Sequence, residues 1–187
     1  MKNLLFLLLV AQITYSQTYL ENNSKCKKTK SISLSERLSK FPFSESKEIK
    51  IISFKNKFDD NLVGHELINQ IDSITLNKDI FQPEMYDEVA TLNPKQIEKL
   101  TDIIYNYTYK KIPYTEEDIK CYMPRNAIFF INDNNKIVAY IEICFGCNHI
   151  RSSDKNLDLG EYCAEKYDLI KSIFKDAKIE YGITKLE

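Results

Sequence analysis

Ala127-Ile-Phe-Phe-Ile131, Asn132-Asp-Asn-Asn135 and Lys136-Ile-Val-Ala-Tyr-Ile-Glu-Ile-Cys-Phe145 follow one another in the chain, and their reading decides the fold. The first run is apolar at every position, as a strand covered on both faces requires. The middle run is rich in Asn and Asp, which tolerate left-handed backbone and close tight turns. The third run is rich in β-branched and aromatic residues, so the whole stretch predicts an antiparallel hairpin whose first strand is central. Side chains alternate along a strand. Val138, Tyr140, Glu142 and Cys144 therefore share one face of the second strand, and Ile137, Ala139, Ile141, Ile143 and Phe145 share the other.

Upstream, Glu48-Ile-Lys-Ile-Ile-Ser-Phe54 predicts a strand, and Met85 to Leu92 predicts another. Between them, Leu62, Leu67, Ile68, Ile71 and Ile74 permit a helix or a loosely structured insertion. Asn93-Pro94 marks a helix start, because Asn is a favoured N-cap and Pro suits the first helical position. Ile97, Leu100, Ile103 and Ile104 then give that helix one apolar face through Tyr105. Tyr107 to Lys120 reads as a polar connection and Asn148 to Asp158 as a polar loop. Leu159 to Ala177 predicts the last helix, with Tyr162, Leu169, Ile170, Ile173 and Phe174 on its core face. Without a regular alternation of strand and helix, the expected class is α+β, a mainly antiparallel sheet with a central hairpin packed by two main helices. Residues 46–187 are expected to form that single domain.

Residues 1–16 read as a signal peptide: Lys2 is followed by an apolar run from Leu4 to Val10, and Thr14-Tyr-Ser16 supplies small residues before a cleavage point at Gln17. The run is shorter than the ~20 residues of a membrane span, and no later stretch suggests insertion. The expected location is periplasmic or secreted. Residues 17–45 read as a polar tether, with one short helix over Ser33 to Lys40 where Ser33 or Ser35 caps. The chain of 187 residues carries 26 Lys and Arg against 27 Asp and Glu, a balance that argues against a nucleic-acid binder, which would need a basic surface. With only 4 Gly, no glycine-rich phosphate cradle can be assembled. Asn22-Asn-Ser24 and Asn106-Tyr-Thr108 fit the N-glycosylation pattern, which matters only in a eukaryotic secretory route.

Five cysteines, an odd number, carry the remaining information: Cys26, Cys121, Cys144, Cys147 and Cys163. In an exported chain disulfides persist, and Cys26, in a Lys- and Ser-rich segment, is expected to be the odd one out. If Asn132 faces Lys136, antiparallel partners keep a constant sum of residue numbers. Cys121 then faces Cys147, Pro124 faces Cys144 and Asn126 faces Glu142. Cys121 is thus expected within reach of Cys144 or Cys147, and Cys163 is expected to meet the other from the last helix. Arg125 would stand close enough to Glu142 to pair with it.

Three chemistries fit this cluster. Two disulfides would staple the hairpin to the last helix. Four thiolates, with His149 as a substitute ligand, would suit a Zn-like site. Cys144-Phe-Gly-Cys147 would suit thiol redox chemistry. The sequence names no reaction, and the reading favours a module that binds an unknown protein partner or small ligand around Arg125, Asn126, Glu142 and His149 over an enzyme.

The string Cys121-Tyr-Met-Pro-Arg125, the run Tyr140-Ile-Glu-Ile-Cys-Phe-Gly-Cys147, and Cys163 ahead of Tyr181-Gly-Ile183 together resemble a family of small uncharacterised bacterial proteins, many apparently exported. The family pattern is C-x-x-P-R-H followed by E-I-C-F-x-C, and Asn126 stands here where His is common. The resemblance runs from roughly Glu48 to Ile183 and implies domain boundaries, without an assigned reaction.

Overall fold

Every residue of Asn126–Ile131 is buried, and this strand lies at the centre of the main sheet. The computed structural model describes residues 26–55, 80–109, 122–161, 163 and 165–185. In chain order the strands are β1 (Cys26–Lys28), β2 (Glu48–Ser53), β3 (Glu88–Thr91), β4 (Tyr107–Tyr109), β5 (Asn126–Ile131), β6 (Ile137–Cys144) and β7 (His149–Ser152). The α-helices among the described residues are α1 (Leu34–Leu38), α2 (Pro94–Asn106) and α3 (Glu165–Asp176). The main sheet runs β3-β2-β5-β6-β7, antiparallel at every junction, and β1 pairs with β4 in a small second sheet. The class is α+β, as the element order implied.

The register explains both cores. On one face Ile49, Ile51, Ile128, Phe130, Ile141 and Ile143 pack against Leu100, Ile103 and Ile104 of α2 and Ile170, Ile173 and Phe174 of α3. On the other, Ile52, Phe54, Phe81, Tyr86, Ala127 and Phe129 form a smaller aromatic cluster. Asn132 does bond Lys136, its N–H donating to the Lys136 carbonyl at 2.9 Å, as the hairpin reading required. A bulge between Phe130 and Ile131 then shifts the pairing by one, so Asn126 faces Ile143 and Ala127 faces Glu142. An extra residue in one strand reverses the alternation beyond it. Ile137 accordingly joins the aromatic cluster and Val138 the helix side, the opposite of their expected faces.

Local sequence sets the helix starts. Asn93 caps α2 in a reciprocal capping box with Gln96, and Pro94 fills the first helical position. Ser33 caps α1 through the Glu36 N–H.

Several boundaries differ from the sequence reading. Residues 26–45 are no tether: they hold β1, α1 and a 3-10 turn at Phe43–Glu45, and buried Arg37 donates to Thr101, to the Ile32 carbonyl and to Asp102. Asn106, 1% exposed, receives the Ile32 N–H and donates to Asp102, so its amide is committed inside the fold, where a bulky surface glycan does not fit. Tyr107–Tyr109 is strand β4 because β1 supplies its partner. The second expected strand shortens to Glu88–Thr91, with Pro83–Met85 as a 3-10 turn that Pro83 initiates. His149–Ser152 is strand β7, not loop. The expected insertion at Leu62 to Ile74, the leader 1–16, Cys121 and Tyr162 lie outside the described residues.

Candidate functional site

The ends of five main-sheet strands gather at one edge: the exits of β2 and β6 and the entries of β3, β5 and β7. Glu142 and Cys144 point to the aromatic-cluster face there, because they alternate with Ile141 and Ile143 on the helix face. The β6–β7 hairpin sets Arg151 directly opposite Glu142 and His149 directly opposite Cys144. Directly opposed residues share a face with Cβ atoms ~4.5–5.5 Å apart, so these four side chains form one patch. The turn between them is closed by the Cys147 N–H donating to the Cys144 carbonyl at 3.3 Å, with Asn148 in left-handed backbone at φ 50°.

Tyr122 covers the patch. Its hydroxyl donates to Glu142 Oε2 at 2.6 Å, the Arg151 guanidinium lies over its ring at 4.0 Å, and the His149 ring meets it edge-on at 5.3 Å. Burial, together with this hydrogen bond to the Glu142 carboxylate, pushes the phenol pKa far up, so the proton stays on oxygen. Burial and the neighbouring Arg151 charge hold the His149 pKa below its ordinary value, which leaves a neutral imidazole near pH 7. Glu142 is 0% exposed and Cys144 2%. The patch therefore offers a carboxylate, a phenol, a guanidinium and a neutral imidazole beside a thiol, a set able to orient a small polar ligand.

Other expected site residues go elsewhere. Among the described residues no ion pair joins Arg125 to Glu142. Arg125 lies on the β2 side, its carbonyl accepting the Phe54 N–H, and its Nε donates to the Tyr181 hydroxyl at 3.3 Å. Asn126 is buried and structural: its amide donates to the Tyr181 carbonyl at 3.0 Å and to the Ile52 carbonyl at 3.4 Å. Gly182, at φ 74°, passes so close that a Cβ would strike the side-chain Oδ1 of Asn126.

The four-cysteine centre is overturned. Cys163 precedes α3 rather than lying in its first turn, and it is bonded to Cys26, with Cα atoms 5.5 Å apart. Cys26, expected to stand alone, is thus half of a staple, because β1 is ordered against β4 instead of trailing as a tether. Cys147 is also disulfide-bonded, whereas Cys144 is a free, buried thiol. Sulfurs held in disulfides are not thiolate ligands, so the four-thiolate Zn-like set is not assembled. Among the described residues no group of three His, Cys, Asp or Glu is placed to hold a metal ion.

Sequence reading missed Tyr122 and Arg151. Arg151 was hidden because a short strand of His-Ile-Arg-Ser reads as polar loop; the signal was Ile150 between two polar residues, after Gly146 and Asn148. Two surface clefts of about 340 and about 280 Å³, lined by described residues, lie where the N-terminal segment meets α2. Five of the six cations that line them, Lys28, Lys30, Arg37, Lys40 and Lys99, already face carboxylates. No family model, curated protein or solved structure matches the chain.

Proposed function

We propose that this chain is an exported, disulfide-stapled binding module that takes a small polar ligand at the patch formed by Tyr122, Glu142, His149 and Arg151. The observation that carries the reading is the Glu142 carboxylate, 0% exposed and the only buried acidic residue among the described ones. A buried charge is costly, and a buried ion pair often adds little stability over an apolar replacement. Such a group, with perturbed neighbours beside it, is a functional-site candidate. Export is supported by the leader pattern at Met1 to Ser16 and by the Cys26–Cys163 disulfide, which would persist only in an oxidising compartment.

Screening polar fragments (carboxylates, amides and amines) against the isotopically labelled protein by NMR tests this. Fragments that bind are expected to shift the amides of Tyr122, Glu142, His149 and Arg151. Their affinity should fall about tenfold in Glu142→Gln, while the unfolding temperature holds or rises. Fragments that collect elsewhere, or that bind Glu142→Gln equally well, would overturn the assignment.

A further inference from the structure

We infer that Cys144 and Cys147 form a thiol–disulfide exchange centre, in which the free Cys144 thiol attacks the disulfide that already holds Cys147. This goes beyond the binding reading and needs no bound ligand. The two cysteines are the first and fourth residues of the turn closed by the 3.3 Å hydrogen bond from the Cys147 N–H to the Cys144 carbonyl. A turn of that kind brings its end Cα atoms within ~7 Å. Bridged cysteines need ~4.4–6.8 Å, so the turn meets the Cα spacing that a Cys144–Cys147 bond requires. Within the turn Phe145 is anchored edge-on against Phe174 of α3, whereas Gly146 has nothing within 4 Å of the place a Cβ would occupy, so the half of the turn next to Cys147 is open.

The charged and titratable groups facing Cys144 are His149 and Arg151 on β7, Glu142 on β6, and Tyr122. His149, directly opposite in the ladder and neutral, is the base we assign to the thiol proton, which it reaches by rotation of its side chain. Arg151 balances the carboxylate of Glu142, which would otherwise disfavour a second negative charge. In the step itself the proton leaves Cys144 Sγ for the imidazole, and the thiolate electron pair forms the bond to Cys147 Sγ. The bond from Cys147 to its present partner breaks, and that sulfur leaves with the electron pair and takes up the proton. One thiol and one disulfide enter and one of each leave, so no oxidant or reductant is consumed. The reactive thiol moves from a position 2% exposed to the released cysteine.

Oxidised glutathione serves as the probe, since it traps whichever thiol is reactive and releases one glutathione. The native protein is incubated with it, quenched in acid and mapped by peptide mass spectrometry. The expected product carries a Cys144–Cys147 link with glutathione on the cysteine released from Cys147. The same product should be absent in Cys144→Ala, which leaves the Cys26–Cys163 and Cys147 disulfides intact, and should form about tenfold more slowly in His149→Gln. Glutathione on Cys144 itself, or no product over a day at pH 8, would overturn the exchange centre. An unchanged rate in His149→Gln would overturn the proton acceptor.

Discussion

Lys166 is 1% exposed, and its ammonium donates to three backbone carbonyls, those of Leu159 at 2.9 Å, Glu161 at 2.6 Å and Ile104 at 3.3 Å. It ties the end of α2 to the segment that leads into α3. Gly160, at φ 74°, lets that segment close on the Ile104 carbonyl, where a Cβ would collide. Burial lowers the Lys166 pKa from 10.5 to about 8, against the opposing pull of Asp158 and Glu161. The folded pKa lies below the unfolded one, so between about pH 8 and 10.5 the unfolded chain holds more protons. Stability from this group therefore rises with pH across that window, at up to ~1.4 kcal/mol per pH unit. The stability difference between wild type and Lys166→Met, followed by urea unfolding from pH 7 to 10, is expected to shift in favour of wild type as pH rises. A constant difference would mean that the lysine titrates normally.

At the scale of elements, the N-terminal segment from β1 to α1 acts as a strap across α2. The Cys26–Cys163 bond, the β1–β4 ladder and the buried Arg37–Asp102 contact hold it in place. Although burial opposes it, hydrogen bonds from Lys28 and Asn106 and the charge of Arg37 hold the Asp102 pKa low. The disulfide closes a separation of 137 residues; chain entropy alone assigns a loop of that length ~5 kcal/mol, and removing a native disulfide typically costs ~2–5 kcal/mol. Cys26→Ser is expected to lower the unfolding free energy by about that amount in denaturant titration while leaving the main sheet folded. A loss near zero would show that the strap holds without its bond. The Asn93 cap offers a smaller comparison, with Asn93→Ala expected to cost ~1 kcal/mol.

Across the whole molecule, the central strand separates a helix-covered core from a smaller aromatic one, and the polar patch lies at the edge of the second. Two of the five cysteines staple the strap to the domain, and the free thiol sits beside the patch. Peptide mapping of unreduced protein, alkylated after unfolding, is expected to find one free thiol per chain, at Cys144 and not Cys26. The same map is expected to join Cys147 to Cys121, the cysteine that residue counting leaves for it. Label on Cys26 or Cys163 would overturn the staple.

Hydrophobic pattern and turn chemistry are local properties, and they alone determined the α+β class, the central strand at Ala127 to Ile131, the hairpin turn and the Asn93 start of α2. The sheet face carrying Glu142 and Cys144 was legible too, because alternation through β6 holds beyond the bulge. Tertiary structure decided the rest. A bulge is one residue's departure from regular pairing, and here it leaves Val138 of β6 as the extra residue between the Phe130–Ala139 and Ile131–Ile137 pairs, which the alternating pattern does not mark. It set Ala127 opposite Glu142 and left Arg125 to Tyr181. Short strands β1, β4 and β7 exist because a partner strand takes up their backbone hydrogen bonds, a condition that their own residues do not encode. Cys26 was unreadable for the same reason: which cysteine it meets depends on a ladder between segments far apart in the chain.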